Sequence, residues 1–192
     1  MEELKYFTLT LDGGEGTITY LVQDIRTESD GSVLCLLSHP LCPAVLLPLR
    51  AASREDLESL QTQTQGKSNL QRWIEYTAKK ANENLDVWVR QNSDSLALLF
   101  VVNRRLTKSQ KGQLSNISGK IASYYFHNDL KLARRYVREN YVLLDDYNKV
   151  YYDRITEQLD RIGRDGKPIS PSEGQRETMF NIAGFALSQG EP

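Results

Sequence analysis

The chain has 192 residues, of which 40% are hydrophobic and 26% charged, and its formal net charge is −1, a composition ordinary for a globular protein. No apolar run approaches the roughly 18 residues of a membrane-spanning helix; the longest, 33–49, is broken by His39, Pro40, Pro43 and Pro48, so no membrane partner is expected. Two cysteines, Cys35 and Cys42, are too few for a disulfide framework, and the opening residues lack the basic start and apolar core of a signal peptide, so the expected setting is reducing and cytoplasmic.

The charge is unevenly spread. Residues 1–66 hold four basic and ten acidic side chains, whereas residues 104–138 hold nine basic side chains against Asp129 alone. Such asymmetry speaks to partners more than the total does.

The first fifty residues read as strands. Phe7, Leu9 and Leu11, then Ile18, Tyr20 and Val22, alternate with polar positions, the period of a half-buried strand. The glycine-rich stretch 12–16 between them reads as a hairpin turn; it lacks the lysine and spacing of a phosphate loop. Asp30-Gly31 marks a second turn before the apolar run 33–37. A fourth strand at 44–47 is fenced by Pro43 and Pro48, which suits a sheet edge because proline cannot donate to a ladder. The implied object is an antiparallel meander.

Helical signals follow. Ser53 opens a short helix that decays into a Gln/Thr tract, and Ser68 is a good N-cap. Leu70, Trp73, Ile74, Ala81, Leu85 and Trp88 share one face, predicting a helix over 69–91. The continuous apolar run 96–103 then predicts an interior strand returning to the sheet. Thr107 is placed to cap a further helix with Leu114, Ile117, Ile121 and Tyr125 on its core face, and 127–129 reads as a tight break. A helical pattern over 130–162 is either one rod of about 50 Å at 1.5 Å per residue or two helices broken near Asp145-Asp146. A loop at 166–171 precedes a last amphipathic segment carrying Met179, Phe180, Ile182, Ala183 and Phe185. The expected fold class is α+β, an N-terminal antiparallel β-meander packed with helices and followed by a largely helical C-terminal half. It is read as one domain over 1–192, with a strand-rich part at 1–50, helices and the returning strand at 53–103, and a helical part at 107–188.

Catalytic motifs are thin. Cys35, His39 and Cys42 offer three zinc-type ligands without the fourth a structural site needs, and His127 has a sufficient role at a helix end. The carboxylates Asp153, Glu157 and Asp160 are interleaved with Arg154 and Arg161, as on a solvated ion-pair face. Neither an enzyme nor a cofactor is expected, although carboxylate-based chemistry without a recognised motif is a third reading. The feature that resists a structural account is basic. Lys131, Arg134, Arg135 and Arg138 fall at i, i+3, i+4 and i+7 and line one helical stripe. Upstream stand Arg104 and Arg105, with Tyr124 and Tyr125 nearby, and basic residues interleaved with aromatics are what single-stranded nucleic acids recruit. A solvated face is the commoner fate of a charge run. Tyr147, Tyr151 and Ile155 form a further stripe of interface-type residues. The first expectation is therefore a non-enzymatic interaction or adaptor protein that self-associates or binds a protein partner through its C-terminal helices. DNA or RNA binding through the basic 104–138 surface is the alternative.

Overall fold

In the computed structural model the described residues are 5–10, 17–60, 68–83, 86–164 and 166–190. Four strands, β1 (Tyr6–Thr10), β2 (Thr17–Thr27), β3 (Val33–His39) and β4 (Cys42–Ala51), form one antiparallel sheet in sequence order. Among the described residues seven α-helices follow: α1 (Arg54–Leu60), α2 (Asn69–Ala81), α3 (Val87–Asn103), α4 (Lys108–Tyr125), α5 (Leu130–Glu139), α6 (Asp146–Leu159) and α7 (Glu173–Gly190). The fold class is α+β, as the strand and helix periods require. The predicted turn at 12–16 lies outside the described residues.

The chain divides into two compact units, one of residues 1–75 and 94–107, the other of 76–93 and 108–192, with the division falling inside α2 and α3.

In the first unit, the β2–β3 turn is built by two residues. Gly31 takes φ +86°, which a residue without Cβ adopts freely. The Asp30 carboxylate accepts from the Ser32 amide at 3.0 Å and hydroxyl at 2.6 Å, and those bonds hold its pKa below the usual carboxylate range. β3 is an interior strand and is buried along almost its whole length. β4 is longer than the predicted 44–47 and contains both Pro43 and Pro48; as an edge strand it can spare their missing donors. α1 starts at Ser53, whose Oγ accepts from the Asp56 amide at 3.1 Å, and packs on β4 with Leu57 buried.

The returning strand is a misreading: 96–103 is the second part of α3. Leu96, Ala97, Phe100 and Val101 are buried while Leu98 and Val102 are exposed, the spacing of a helix face. The sheet therefore has four strands and receives the helix end instead. The Tyr20 hydroxyl donates to the Val101 carbonyl at 2.6 Å, satisfying one of the carbonyls that a helix leaves unpaired at its C-terminus. Burial pushes the Tyr20 phenol up to about 12, against a smaller downward pull from Arg104. Arg104 itself closes α3, at φ +57° with its amide on the Phe100 carbonyl at 2.7 Å.

The predicted helix over 69–91 is two helices. Ser68 caps α2 through the Gln71 amide, but α2 stops at Ala81, and α3 begins after Asp86, whose carboxylate accepts from the Val89 amide at 2.9 Å. Leu85 lies outside the described residues.

The second unit is built around α7, against which α4, α5 and α6 all pack, α4 most extensively. The α4–α7 crossing is close because each helix brings a glycine. A Cβ on Gly184 would collide with the Ser118 carbonyl, and one on Gly119 with the Asn181 side chain. α7 is capped by Ser172, whose Oγ accepts from the Gln175 amide while the Gln175 side chain accepts from the Ser172 amide, a reciprocal capping box. The 130–162 pattern resolves into α5, a 3-10 turn at Tyr141–Leu143, and α6, so of the two predicted forms the broken one is observed. Leu144 is extended and Asp145 caps α6 through the Asn148 amide at 2.8 Å.

Candidate interaction surfaces

The α5 stripe forms because Asp129 restarts the chain after a sharp corner. His127 and Asn128 sit at φ +52° and +59°, and the Asp129 carboxylate then accepts from the Lys131 and Leu132 amides at 2.8 and 3.3 Å. Ala133 and Val137 face the interior, which turns Lys131, Arg135 and Arg138 outward. Among the described residues these three form no ion pair. Arg134 differs: its Nη2 bonds both oxygens of Asp160, each at 2.7 Å. Its partner carboxylate comes from the end of α6, twenty-six residues on, and not from its own helix.

Tyr124 and Tyr125 are exposed at the end of α4. Tyr125, expected on the core face of that helix, lies outside that face; Phe126 takes the buried place, with its ring against Tyr125 at 4.9 Å and Tyr136 at 5.4 Å. Arg104 and Arg105 belong to the first unit and the six other predicted anion-binding residues to the second. Trp88, predicted to face a packed side, is exposed in α3 with the Lys120 ammonium 4.1 Å from its ring centroid. A second rung, Gln113 to Asn92 at 2.8 Å, makes the start of α3 run antiparallel to α4.

α6 separates the three predicted interface residues. Ile155 is 5% exposed, with Asn148 and Tyr152 on the same inner stripe, so its place in an interface is withdrawn: it belongs to the unit's own core. Tyr147 is 67% exposed and Val150 58%, and Val142 from the 3-10 turn is 84% exposed. The Tyr147 and Tyr151 rings lie 4.6 Å apart, and the Arg154 guanidinium stands over Tyr151 at 5.9 Å. A hydrogen bond between the two phenols, then partial burial, raises the Tyr147 pKa. Tyr141 donates to Asp153 at 2.9 Å, which raises its pKa in turn. Val142 and Val150 were the residues sequence reasoning missed; position 150 lies three after Tyr147 and shares its face.

In the first unit Cys35 is buried and Cys42 partly so, both as free thiols whose pKa values burial raises. Among the described residues no group of three or more His, Cys, Asp or Glu side chains is placed to hold a metal ion, and no helix is long and apolar enough to cross a membrane. No family model, curated protein or solved structure matches the chain.

Proposed function

We propose that the chain is a non-enzymatic interaction protein that pairs with a second copy of itself through the outer face of α6. The observation that carries this reading is that Tyr147 and Val150 stand out to solvent on one face of α6 beside Tyr151, with Val142 exposed in the 3-10 turn before it. Contiguous exposed apolar surface marks interaction sites, and tyrosine is among the residues that anchor them. The charges flanking this face are of both signs: Asp146, Asp153 and Glu157 with Lys149 and Arg154. A two-fold axis across α6 would let acids of one copy meet bases of the other, as a self-complementary isologous patch allows, whereas a one-sign partner would meet like charge somewhere along the helix.

The magnitude of the contact follows from geometry. Fourteen helical residues span about 21 Å at 1.5 Å per residue, and a helix face about 10 Å wide offers about 200 Å² per copy. Standard interfaces bury about 800 Å² per partner, so the pair belongs to the weak, concentration-dependent class. Sedimentation velocity between about 10 µM and 1 mM tests it: wild type shifts toward dimer across the range, and Val150→Asp stays monomeric. A wild-type chain that is monomeric throughout overturns the proposal.

Nucleic-acid binding through the basic surface is the second reading, favoured by the exposure of Tyr124 and Tyr125 on α4 and of Lys131, Arg135 and Arg138 on α5 within one unit. With Arg134 engaged by Asp160, three phosphate contacts remain on the stripe, for a salt slope of about −2 to −3. A flat salt dependence removes this reading.

A further inference from the structure

A groove of about 620 Å³ opens where the start of α5, the end of α6, the 166–171 loop and the first turn of α7 converge. Its volume is in the range of small-molecule sites, which are apolar surfaces bearing a few placed polar groups. The apolar part here comes from Leu130, Leu159 and Ile169, and the polar part from Lys131, Arg134 and Arg176. Among the described residues Asp129 is the one carboxylate in the lining, and it is occupied: its Oδ1 accepts from the Lys131 and Leu132 amides in the first turn of α5. Those bonds take up two of the amides that an anion at this helix N-terminus would use, which leaves the side chains to meet it.

Both arginines retain donors. Arg134 uses Nη2 alone on Asp160, leaving Nε and Nη1. Arg176 uses Nη2 on the Asn128 carbonyl at 3.1 Å, which fixes the guanidinium at the groove wall with Nε and Nη1 to spare. Lys131 forms no ion pair among the described residues. Three cations thus edge a surface of leucine and isoleucine, with one of them already neutralised by Asp160. Guanidinium groups favour carboxylate and phosphate oxygens because their donors are planar and paired.

We infer that this groove binds a small amphipathic anion, a carboxylate or phosphate monoester carried on an apolar chain, with the head group on Lys131 and Arg176 and the chain along Leu130, Leu159 and Ile169. Neither half of the site accounts for the other: the cations give no reason for the apolar floor, and the floor gives none for three cations at its rim.

Calorimetry on the full chain tests this with octanoate, octyl phosphate, octanol, octylamine and inorganic phosphate, all below micelle-forming concentrations. Octanoate and octyl phosphate bind, while octanol, octylamine and inorganic phosphate bind about tenfold more weakly or not at all, as expected when a charged hydrogen bond and apolar burial are both needed. Lys131→Gln and Arg176→Gln each weaken octyl phosphate about tenfold. Arg176→Gln also releases the Asn128 corner, so Lys131→Gln, whose exposed side chain forms no ion pair among the described residues, is the variant that decides if the other misfolds. Ile169→Ser removes part of the roughly two- to fourfold gain per added methylene between hexyl and octyl phosphate. Octanol binding as well as octanoate, inorganic phosphate binding as well as octyl phosphate, unchanged affinity in Lys131→Gln, or no heat with any probe overturns the inference.

Discussion

α6 and α7 belong to the same unit and differ in how many of their sides that unit fills. α7 is buried on nearly every side from Met179 to Ser188, with Asn181 the half-buried exception, whereas α6 buries the stripe of Asn148, Tyr152 and Ile155 and turns Tyr147 and Val150 outward. A helix apolar all round belongs inside, and the three helices packed on α7 supply that inside. An amphipathic helix that still carries large apolar residues on its outer face has surface to spare. The contrast separates residues that hold the fold from residues free to do something else.

The largest break in that contrast is at α7. Phe185 is fully buried, and Phe185→Ala should destabilise by about 3–5 kcal/mol, read as a shift in the urea midpoint. Gly184 comes next. Ala is the better helix former by about 1 kcal/mol, but its methyl would meet the backbone carbonyl of Ser118 rather than a side chain that could move. Overpacking of this kind costs about 1–3 kcal/mol, so Gly184→Ala should be net destabilising. A more stable Gly184→Ala would mean α4 and α7 separate easily, and the crossing would no longer explain why α7 is closed.

These differences were unequally legible in the sequence. The sheet was readable because its signals are local: Ile18 and Tyr20 alternate with polar neighbours, and Asp30-Gly31 names its own turn. The caps at Ser53 and Ser68 were readable for the same reason, whereas Asp145 was legible only as a possible break and the Ser172–Gln175 capping box, an equally plain signal, was not read. The run 96–103 was not, because an unbroken apolar stretch has no period of its own. What decides it lies upstream, where Asp86 starts a helix whose buried positions 89, 93, 96, 97, 100 and 101 keep helical spacing. The basic stripe was legible as a stripe. Its pairing with Asp160 was not, since a contact across twenty-six residues depends on the corner at 140–145 that folds α6 back.

Within α6 the contrast sharpens to single residues. Ile155→Ala should cost about 2–5 kcal/mol, as for other buried isoleucines, while Tyr147→Ala should leave stability within about 0.5 kcal/mol. The same Tyr147→Ala should weaken self-association measured by sedimentation. Equal stability losses in the two variants would show that the outer face is part of the core, and the dimer reading would lose its surface.

The smallest expected effect is on pH. The Tyr147 pKa is raised above 10.0 by the hydrogen bond with Tyr151, then by partial burial, and that of Tyr141 by its bond to Asp153. A raised phenol pKa means that the fold favours the protonated ring, so this contribution is whole below about pH 10 and is lost as pH climbs through the raised values. Association has the same sign, because a two-fold pairing would bring the phenolates of both copies near one another and like charges repel. The dissociation constant should therefore be flat from neutral pH to about 10 and rise beyond it, with circular dichroism confirming that the chain is still folded. Tyr147→Phe keeps the ring and removes its proton, so its rise should be smaller than that of wild type. A rise beginning well below pH 10, or one identical in Tyr147→Phe, would place the pairing on some other face of the unit.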